Sequence, residues 1–371
     1  MADHNRTLLR WTRFESDPHG TGPEKRTAQI SALLAEASLG ANVMRQPLAF
    51  PRWQTWLAGL CARYQFGPRA SVDGAGIGLL GFLKLFYRQA LDAHRGARVL
   101  LWETTYDTLL PKMALATGYR VVAVPHNLEA LVSERVFADP GYDPSADLAA
   151  EIRRLALCDA VFTISKEERW FLEGRGLQPD YLPYYPDPAL AAECLAIRRR
   201  RIARASPTGH VAGPILILGS AFNPATARGM ARQLEWLNEA TSASREVLVV
   251  GPQSDVLFAA HARPGIRLLG RVTRDHLVSL LESCSALLIH TYGGGGAVTR
   301  IPEALLAGVP VIANPNAARD QYGASGVEIY TTQKDFLSLV QAPHLVPPAP
   351  VAPVAASVRF QQALLALIAS V

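Results

Sequence analysis

Residues 286–313 carry the feature that most constrains the fold. The segment opens with a short apolar run typical of a buried strand, and four consecutive glycines, Gly293 to Gly296, follow it. Glycine adopts positive φ at little cost, so such a run allows a tight loop and close approach of the backbone to a ligand. Pro302 suits the first position of a helix and Gly308 suits the residue just past its end. The segment therefore predicts a strand, a glycine loop, a short helix and a second strand.

The predicted helix start offers free N–H groups and a positive dipole end, which favour an anion such as a phosphate. The loop differs from two known phosphate motifs: it lacks the Lys-Ser/Thr ending of a P-loop, and Val298 stands where a dinucleotide fingerprint has glycine or alanine. A purely structural interpretation is the alternative, because Glu303 in the first helical turn would be favourable by about 0.3–1 kcal/mol for dipole reasons alone.

Further apolar runs alternate with helical stretches along the chain, a pattern typical of α/β domains with parallel sheets. The predicted strands are 7–11, 98–103, 119–125, 160–164, 214–220, 246–251, 266–272, 286–290 and 309–313. At 371 residues the chain predicts two or three domains. Turn-rich segments on both sides of the basic run Arg198–Arg201 place the boundary at residue 207. The predicted domains are 1–206 and 207–354, with a final helix over 355–371.

Charge and composition limit the classes of binding partner but do not identify one. The net charge of +5 and the pI near 9.1 fit an anionic substrate, an acidic membrane surface or nucleic acid. No aromatic residues interleave with Arg198–Arg201, so a solvated helix face is expected there and nucleic acid is not. The apolar stretch 72–88, closed by cations, predicts either an interfacial segment or a buried helix. Four scattered cysteines and the lack of a signal region predict a cytoplasmic protein, attached at most to the inner face of the membrane.

Three groups of residues together resemble one family. After the glycine loop come Thr299-Arg300 and the run Glu303–Ile312; after the third predicted strand come His126-Asn127-Leu128-Glu129; and Asp159, Ser165 and Glu168 share the order Asp-x-Val-x-x-x-Ser-x-x-Glu. This pattern is similar to the GT-B glycosyltransferases, in particular the large retaining group called glycosyl transferases group 1. One departure concerns the donor sugar, because many members have a second glutamate where this chain has Gly295.

The resemblance implies two Rossmann-like, doubly wound domains with a cleft between them, and a C-terminal helix that returns to the first domain. It implies transfer of a sugar from a UDP-, GDP- or dTDP-linked donor to a hydroxyl of a glycan or lipid-linked acceptor, with retention and without a metal or other cofactor. The implied setting is bacterial-type polysaccharide or glycoconjugate assembly.

The resemblance also assigns roles to residues of this chain. The implied donor-binding residues are Asn223, Arg228, Arg271, Val272, Tyr292, Gly293, Gly294, Gly295, Gly296, Thr299, Arg300 and Glu303. Glu303 would hold the ribose hydroxyls, and His126 would lie near the donor sugar. Asp17 is a second catalytic candidate, and a base there would give an inverted product. His19, Gly20 and Gly22 would form the acceptor-side loop.

Two other functions stay open from the sequence. A nucleotide-sugar epimerase shares the fold but needs several acid/base groups and converts the donor without an acceptor. A non-catalytic partner subunit would keep the fold without turnover, an alternative that Gly295 keeps open.

Overall fold

The computed structural model describes residues 7–44, 50–66, 76–103, 105, 109–132, 141–239 and 245–370. The chain divides into two compact units. Unit 1 comprises residues 1–184 together with 353–371, and unit 2 comprises residues 185–352.

Strands and helices alternate in both units. The strands are β1 Thr7–Trp11, β2 Gly40–Val43, β3 Val99–Trp102, β4 Arg120–Ala123, β5 Ala160–Thr163, β6 Asp180–Tyr181, β7 Ile215–Leu218, β8 Val247–Val250, β9 Ile266–Gly270, β10 Ala286–Ile289, β11 Val311–Ala313 and β12 Val327–Ile329. The helices are α1 Gly22–Glu36, α2 Arg52–Phe66, α3 Ile77–Ala93, α4 Leu110–Ala116, α5 Glu129–Val132, α6 Ser145–Leu155, α7 Lys166–Glu173, α8 Pro188–Arg204, α9 Pro224–Glu239, α10 Ser254–Leu257, α11 Arg274–Ser283, α12 Arg300–Leu306, α13 Pro315–Ala318, α14 Gln333–Gln341 and α15 Val354–Ala369.

Unit 1 is built on a parallel sheet with the order β2-β1-β3-β4-β5-β6. Helices cover both faces, which is why β3 is apolar at every position. Leu100 and Trp102 join a core with residues of α3 and α4, whereas Val99 and Leu101 join a core with residues of α1 and α15. The alternation follows from the period of two along a strand.

Unit 2 repeats this architecture with the order β12-β11-β10-β7-β8-β9, again with parallel neighbours. On one face Leu216 and Leu287 pack with residues of α8, α11 and α12. On the other face Ile217 and Leu288 pack with residues of α9 and α14. The two sheets confirm the α/β, doubly wound class.

The final helix, α15, packs on unit 1, as the fold class predicted. Phe360 and Leu364 are fully buried against the sheet, and the ring of Phe360 meets that of Phe162 edge to face at 5.2 Å. Gln361 donates to the carbonyl of Leu33 at 2.9 Å. Burial of a Phe or Leu side chain stabilises by about 1.5–3 kcal/mol each, so these residues hold the chain end in place.

The basic run forms the solvated face that the sequence predicted only at Arg199 and Arg200, which are exposed. Arg201 is fully buried and donates to the carbonyls of Gly308 at 2.8 Å, Leu281 at 2.6 Å and Cys284 at 2.7 Å. Arg198 donates to the carbonyl of Leu305 at 3.2 Å. These carbonyls end α11 and α12, and helix ends need such donors because their last carbonyls have no partner within the helix.

Helix α8 therefore belongs to unit 2, and the chain enters that unit at Tyr185 rather than at residue 207. The stripe Leu190, Cys194 and Ile197 packs into the unit 2 core and ends at Arg201. The turn-rich segment near residue 207 is a connection within unit 2.

Where the structure describes the stretch 72–88, this stretch forms a buried helix, which is the second of the two predicted alternatives. Residues 72–75 lie outside the described residues, and α3 begins at Ile77. Leu83, Phe86 and Tyr87 are buried in the unit 1 core. Strands β2, β6 and β12 were not predicted; they have four, two and three residues.

One helix start also differs from the sequence prediction. Helix α12 begins at Arg300, so Pro302 is its third residue, a position whose N–H has no partner within a helix anyway. The Ser-x-x-Glu order is the pattern of a capping box at the start of α7. Ser165 accepts from the Glu168 amide at 3.2 Å, and the Glu168 carboxylate accepts from the Leu128 amide at 2.8 Å. Gly308 lies just past α12 with φ +75°, as predicted.

Candidate functional site

The strand order of unit 2 reverses its winding at the carboxyl ends of β7 and β10. The chain crosses from β7 to β8 on one side and later to β10 on the other, so the direction of winding reverses between β7 and β10. Ligands of open α/β sheets bind outside the carboxyl ends of the strands at such a point. The segment 219–223 follows β7, and the glycine loop follows β10.

The glycine loop requires glycine at three of its four positions. Gly293, Gly294 and Gly296 have φ of +66°, +91° and +65°, a region that side chains disfavour. Gly295 is not among the glycines with positive φ. Its backbone would accept a side chain, so the absence of the glutamate common in the similar family is not a requirement of the loop conformation.

Arg319 braces this loop. Its guanidinium donates to the carbonyls of Gly293 and Gly295, and its Nε donates to the carbonyl of Asn316 at 2.5 Å. Its own backbone has φ +26° and ψ −114°. A non-glycine residue in such a region carries strain of about 1–3 kcal/mol, which persists at functional sites when surrounding contacts hold it.

Direct contacts join the segments that follow β7 and β10. The Tyr292 amide donates to the carbonyl of Ala225 at 3.5 Å. The Arg300 guanidinium donates to the Leu218 carbonyl at the end of β7. Burial lowers the pKa of Arg300 below its ordinary value, against the opposing charge of Glu303. A half-buried cation thus lies at the carboxyl end of β7.

The other predicted donor-binding residues have simpler surroundings. Asn223 is exposed and its side chain accepts from the Thr226 amide at 3.0 Å, so it stabilises the start of α9. Arg228 is exposed, Thr299 is buried, and Glu303 is half-buried in the first turn of α12. Arg271 and Val272 follow β9, which β8 separates from β7.

A buried histidine that the sequence did not single out lies directly after β10. His290 Nδ1 is 2.8 Å from the Tyr330 hydroxyl, which accepts from Gln233 at 3.2 Å. The imidazole also stacks near Tyr292, with ring centroids 4.8 Å apart. Burial lowers the pKa of His290 to about 4, so the ring is neutral at pH 7.

This pKa predicts that acid destabilises unit 2. In the unfolded chain His290 would titrate near its ordinary value, about 6.5, so the unfolded state binds the proton first. The stability is therefore complete above that pH and is lost as the pH falls towards 4. We expect His290→Gln to remove about 2 kcal/mol of the pH dependence between neutral and acidic solution, measured by urea unfolding. An equal pH dependence in His290→Gln and in the exposed control His276→Gln would contradict this assignment.

Unit 1 has its own reversal of winding, between β1 and β3. Arg10 on β1 forms a buried ion pair with Glu103, the first residue after β3. Arg10 also donates to the Thr27 carbonyl at 2.9 Å, and the Thr27 hydroxyl donates to Glu103 at 3.2 Å. Burial raises the pKa of Glu103, but the charge and hydrogen bond of Arg10, together with His126, outweigh it, so that pKa lies below its ordinary value.

His126 lies next to this ion pair, at the end of β4. Its Nε2 is 3.6 Å from Glu103 Oε2, longer than a hydrogen bond, and Phe14 stacks on the ring at 5.2 Å between centroids. The side chain is buried, yet neither ring nitrogen has a hydrogen-bond partner among the residues the structure describes. Burial lowers its pKa, against the opposing effect of Glu103. Buried polar groups without partners are rare, so this ring is a candidate for contact with a ligand.

Two buried carboxylates fix the backbone after His126. Glu151 accepts from the amides of Glu129 and Ala130, both at 3.0 Å, and Glu168 accepts from the Leu128 amide. The hydroxyl of Thr105 also donates to Glu151, at 2.9 Å. The Glu168 contact gives the Ser-x-x-Glu motif a role in unit 1 beyond capping a helix.

The segment after β1 carries the remaining predicted residues. Asp17 and His19 are exposed, and the Asp17 carboxylate accepts from the His19 amide at 2.8 Å, which is an Asx-type turn. Gly20 donates its amide to the Asp17 carbonyl at 3.2 Å, and Gly22 begins α1. The observed hydrogen bond gives Asp17 a turn-stabilising role.

Sequence reasoning did not single out Glu103, Arg10 or Arg319 for a site. Glu103 had a usable signal, since it is a carboxylate placed directly after an apolar strand. Within the described ranges, no group of three His, Cys, Asp or Glu residues could hold a metal ion. No helix in those ranges is both long and apolar enough to cross a membrane.

No protein-family model matches the sequence, and no curated protein sequence matches it. Solved structures do resemble the fold. A sucrose-phosphate synthase from Thermosynechococcus elongatus superposes with a TM-score of 0.63 at 14% identity, covering 99% of this chain and 100% of that one. Anabaena HepE in complex with UDP-glucose gives 0.57 at 12% identity over 98% of this chain and 100% of that one. A UDP-GlcNAc 2-epimerase from Neisseria meningitidis gives 0.54 at 13% identity over 97% and 100%. The chain therefore has the GT-B fold that its motifs predicted.

Proposed function

We propose that the chain is a glycosyltransferase that moves a sugar from a UDP-, GDP- or dTDP-linked donor to a hydroxyl of a glycan or lipid-linked acceptor. Unit 2 binds the donor and unit 1 binds the acceptor. The reaction proceeds with retention and without a metal, in bacterial-type polysaccharide or glycoconjugate assembly at the inner face of the membrane. The likeness to HepE, whose structure holds UDP-glucose, supports a UDP-linked donor.

The observation that carries this proposal is the reversal point of unit 2. There a loop with three positive-φ glycines, braced by Arg319, meets the end of β7, where Arg300 lies half-buried. Glycines with positive φ allow close approach of the backbone to phosphate oxygens, and two guanidinium groups add positive charge. Glu303 is half-buried in the first turn of α12, and in this proposal its carboxylate accepts hydrogen bonds from the ribose hydroxyls.

This arrangement suits the leaving group of the proposed reaction. The bond between the anomeric carbon of the sugar and the diphosphate oxygen breaks, and a bond from that carbon to the acceptor oxygen forms. The acceptor proton passes to the departing diphosphate, whose negative charge grows as the bond breaks. Fixed donors aimed at this charge would stabilise the transition state, and their contribution is largest in a site that excludes water.

In unit 1 the proposed reactive-side residue is His126. Its ring nitrogens have no hydrogen-bond partner among the described residues, so the neutral ring can donate to or accept from a sugar hydroxyl. The ion pair of Glu103 and Arg10 lies beside the ring. Glu151 and Glu168 accept hydrogen bonds from the backbone amides that follow His126. Asp17 is the alternative catalytic residue, and an inverted product would favour it.

Donor turnover in D₂O, followed by proton NMR, tests the proposal. The expected result with one of the UDP-, GDP- or dTDP-linked sugars is release of the nucleoside diphosphate, with the sugar transferred to water or to an added glycan. Deuterium incorporation at sugar C2 with the nucleotide still attached would overturn the proposal in favour of an epimerase. The likeness to the Neisseria epimerase is the observation that favours this second function. Binding of a donor with no turnover under any acceptor tried would favour a non-catalytic subunit.

Arg319→Ala is expected to weaken UDP binding about tenfold, which corresponds to about 1.4 kcal/mol. The substitution removes both hydrogen bonds to the glycine loop and one positive charge near the proposed diphosphate. Isothermal titration calorimetry with UDP measures the change. Arg267→Ala is the matched control, because Arg267 is exposed on β9 and pairs with Glu246 instead. An affinity within twofold of the unsubstituted protein would exclude a role for Arg319 in donor binding.

A further inference from the structure

Helix α2 presents an apolar face to solvent that the fold of unit 1 does not use. The exposed fractions are 64% for Trp53, 53% for Trp56, 49% for Leu57, 37% for Leu60 and 96% for Tyr64. These residues recur at spacings of three and four, so they lie on one side of the helix. A contiguous exposed patch of large apolar side chains marks an interaction surface, whereas single exposed apolar residues do not.

The opposite side of α2 packs flush against α3. A Cβ on Gly59 would lie 1.8 Å from the Ile77 carbonyl oxygen, and a Cβ on Gly81 would lie 1.6 Å from the Thr55 carbonyl oxygen. The two backbones are therefore in contact, and only glycine fits at the crossing. Because this contact is made through the backbone, the large side chains of α2 are left on the outward side.

The same helical pair carries an excess of positive charge. Helices α2 and α3 contain four cations, Arg52, Arg63, Lys84 and Arg88, against one acid, Asp92. The net charge of the pair is therefore +3. Helix α2 itself contains no acidic residue, and both of its arginines are exposed.

We propose that the outward face of α2 binds an anionic lipid bilayer. Trp53, Trp56 and Leu60 would enter the headgroup region, and Arg52 and Arg63 at the edge of the stripe would meet lipid phosphates. Aromatic and leucine side chains beside arginines are the composition of helices that lie in a membrane interface. The proposal rests on α2 and its charge, so it is independent of the nucleotide site in unit 2.

Charge also decides between the lipid surface and other occupants. In a symmetric dimer the same face of each copy would meet its equivalent, which would bring together two helices that each carry two arginines and no acidic residue. Like charges across an interface oppose association. Nucleic acid would be attracted by the charge, but it would leave the leucines of the stripe without an apolar partner.

Vesicle flotation with the full-length protein tests the proposal. We expect binding to phosphatidylcholine vesicles that contain about one third phosphatidylglycerol, weak binding to pure phosphatidylcholine, and a marked loss at high salt. Trp53→Ser/Trp56→Ser/Leu60→Ser and Arg52→Glu/Arg63→Glu should each lower the bound fraction about tenfold. Trp170→Ser is the matched control, because Trp170 is 61% exposed on α7 of the same unit.

The variants act at an exposed face, so far-UV circular dichroism and the urea unfolding midpoint should be unchanged in them and show that they are folded. Equal flotation of the triple variant and the Trp170→Ser control would overturn the proposal. A concentration-dependent dimer of the unsubstituted protein in sedimentation velocity would also overturn it, if the triple variant no longer formed that dimer. Displacement of the protein from vesicles by double-stranded DNA would overturn it as well, if the triple variant still bound the DNA.

Discussion

Replacing His126 with alanine should lower kcat for donor turnover about 100-fold, while the affinity for UDP should stay within about twofold of that of the unsubstituted protein. The magnitude is that of a lost group acting on the reacting centre. UDP binding is unaffected because His126 belongs to unit 1 and the proposed nucleotide site belongs to unit 2. Release of the nucleoside diphosphate in the presence of donor measures kcat, and calorimetry measures the affinity.

Three variants separate this role of His126 from a structural one. His126→Asn keeps a polar side chain and should fold like the unsubstituted protein while losing most of the activity. His276→Ala removes an exposed histidine of α11 and should leave kcat unchanged. Glu103→Gln breaks the ion pair with Arg10 and should change the pH profile of kcat rather than abolish turnover. Full activity in His126→Asn would contradict the assignment and direct attention to Asp17.

Arg201→Ala should lower the free energy of unfolding of unit 2 by about 3–5 kcal/mol. The substitution leaves the carbonyls of Leu281, Cys284 and Gly308 without their donor and opens a cavity in a fully buried position. Arg201→Met keeps most of the volume, so it isolates the hydrogen bonds and should still cost about 2 kcal/mol or more. Urea unfolding provides the measurement.

Arg199→Ala is the matched control, since Arg199 lies on the same helix and is exposed. Its effect should be within about 0.5 kcal/mol. If Arg199→Ala and Arg201→Ala were equally stable, the buried guanidinium would not hold the two helix ends, and the assignment of α8 to unit 2 would lose its main energetic support.

The fold was predictable because its strands are buried on both faces. Runs such as Val99–Trp102 and Ala286–Ile289 are continuous and apolar, which only a sheet covered by helices on both sides explains. Strands β2, β6 and β12 were missed because they lie at the sheet edges and are not buried, so none of them forms a continuous apolar run. Strand β6, for example, is only Asp180–Tyr181.

The boundary between the units shows where a local pattern misleads. Four adjacent arginines predict a solvated face, and proline-rich turns on either side predict a linker. The competing signal was the stripe Leu190, Cys194 and Ile197, which continues at helical spacing to Arg201. A charged residue at the end of an apolar stripe is buried here because unit 2 supplies three carbonyl acceptors, which no local sequence reveals.

The candidate site was only partly visible in the sequence. His126 and the glycine loop could be found because they follow apolar strands. The partners that shape them come from distant segments: Arg10 and Glu103 are 93 residues apart, and Arg319 lies 24 residues beyond Gly295. Strand order brings these residues together, and strand order is not written in any one segment.

The most direct test of the account is calorimetric titration of the protein with UDP, GDP, dTDP and CMP, first with EDTA and then with Mg²⁺. Glu303→Ala is titrated in parallel, with the exposed Glu239→Ala as the control. The account predicts that one of UDP, GDP and dTDP binds without a metal, that Glu303→Ala weakens this binding at least tenfold, by about 1.4 kcal/mol or more, and that Glu239→Ala leaves it unchanged. Failure of all four nucleotides to bind, or equal affinity in Glu303→Ala, would contradict a nucleotide-sugar site in unit 2.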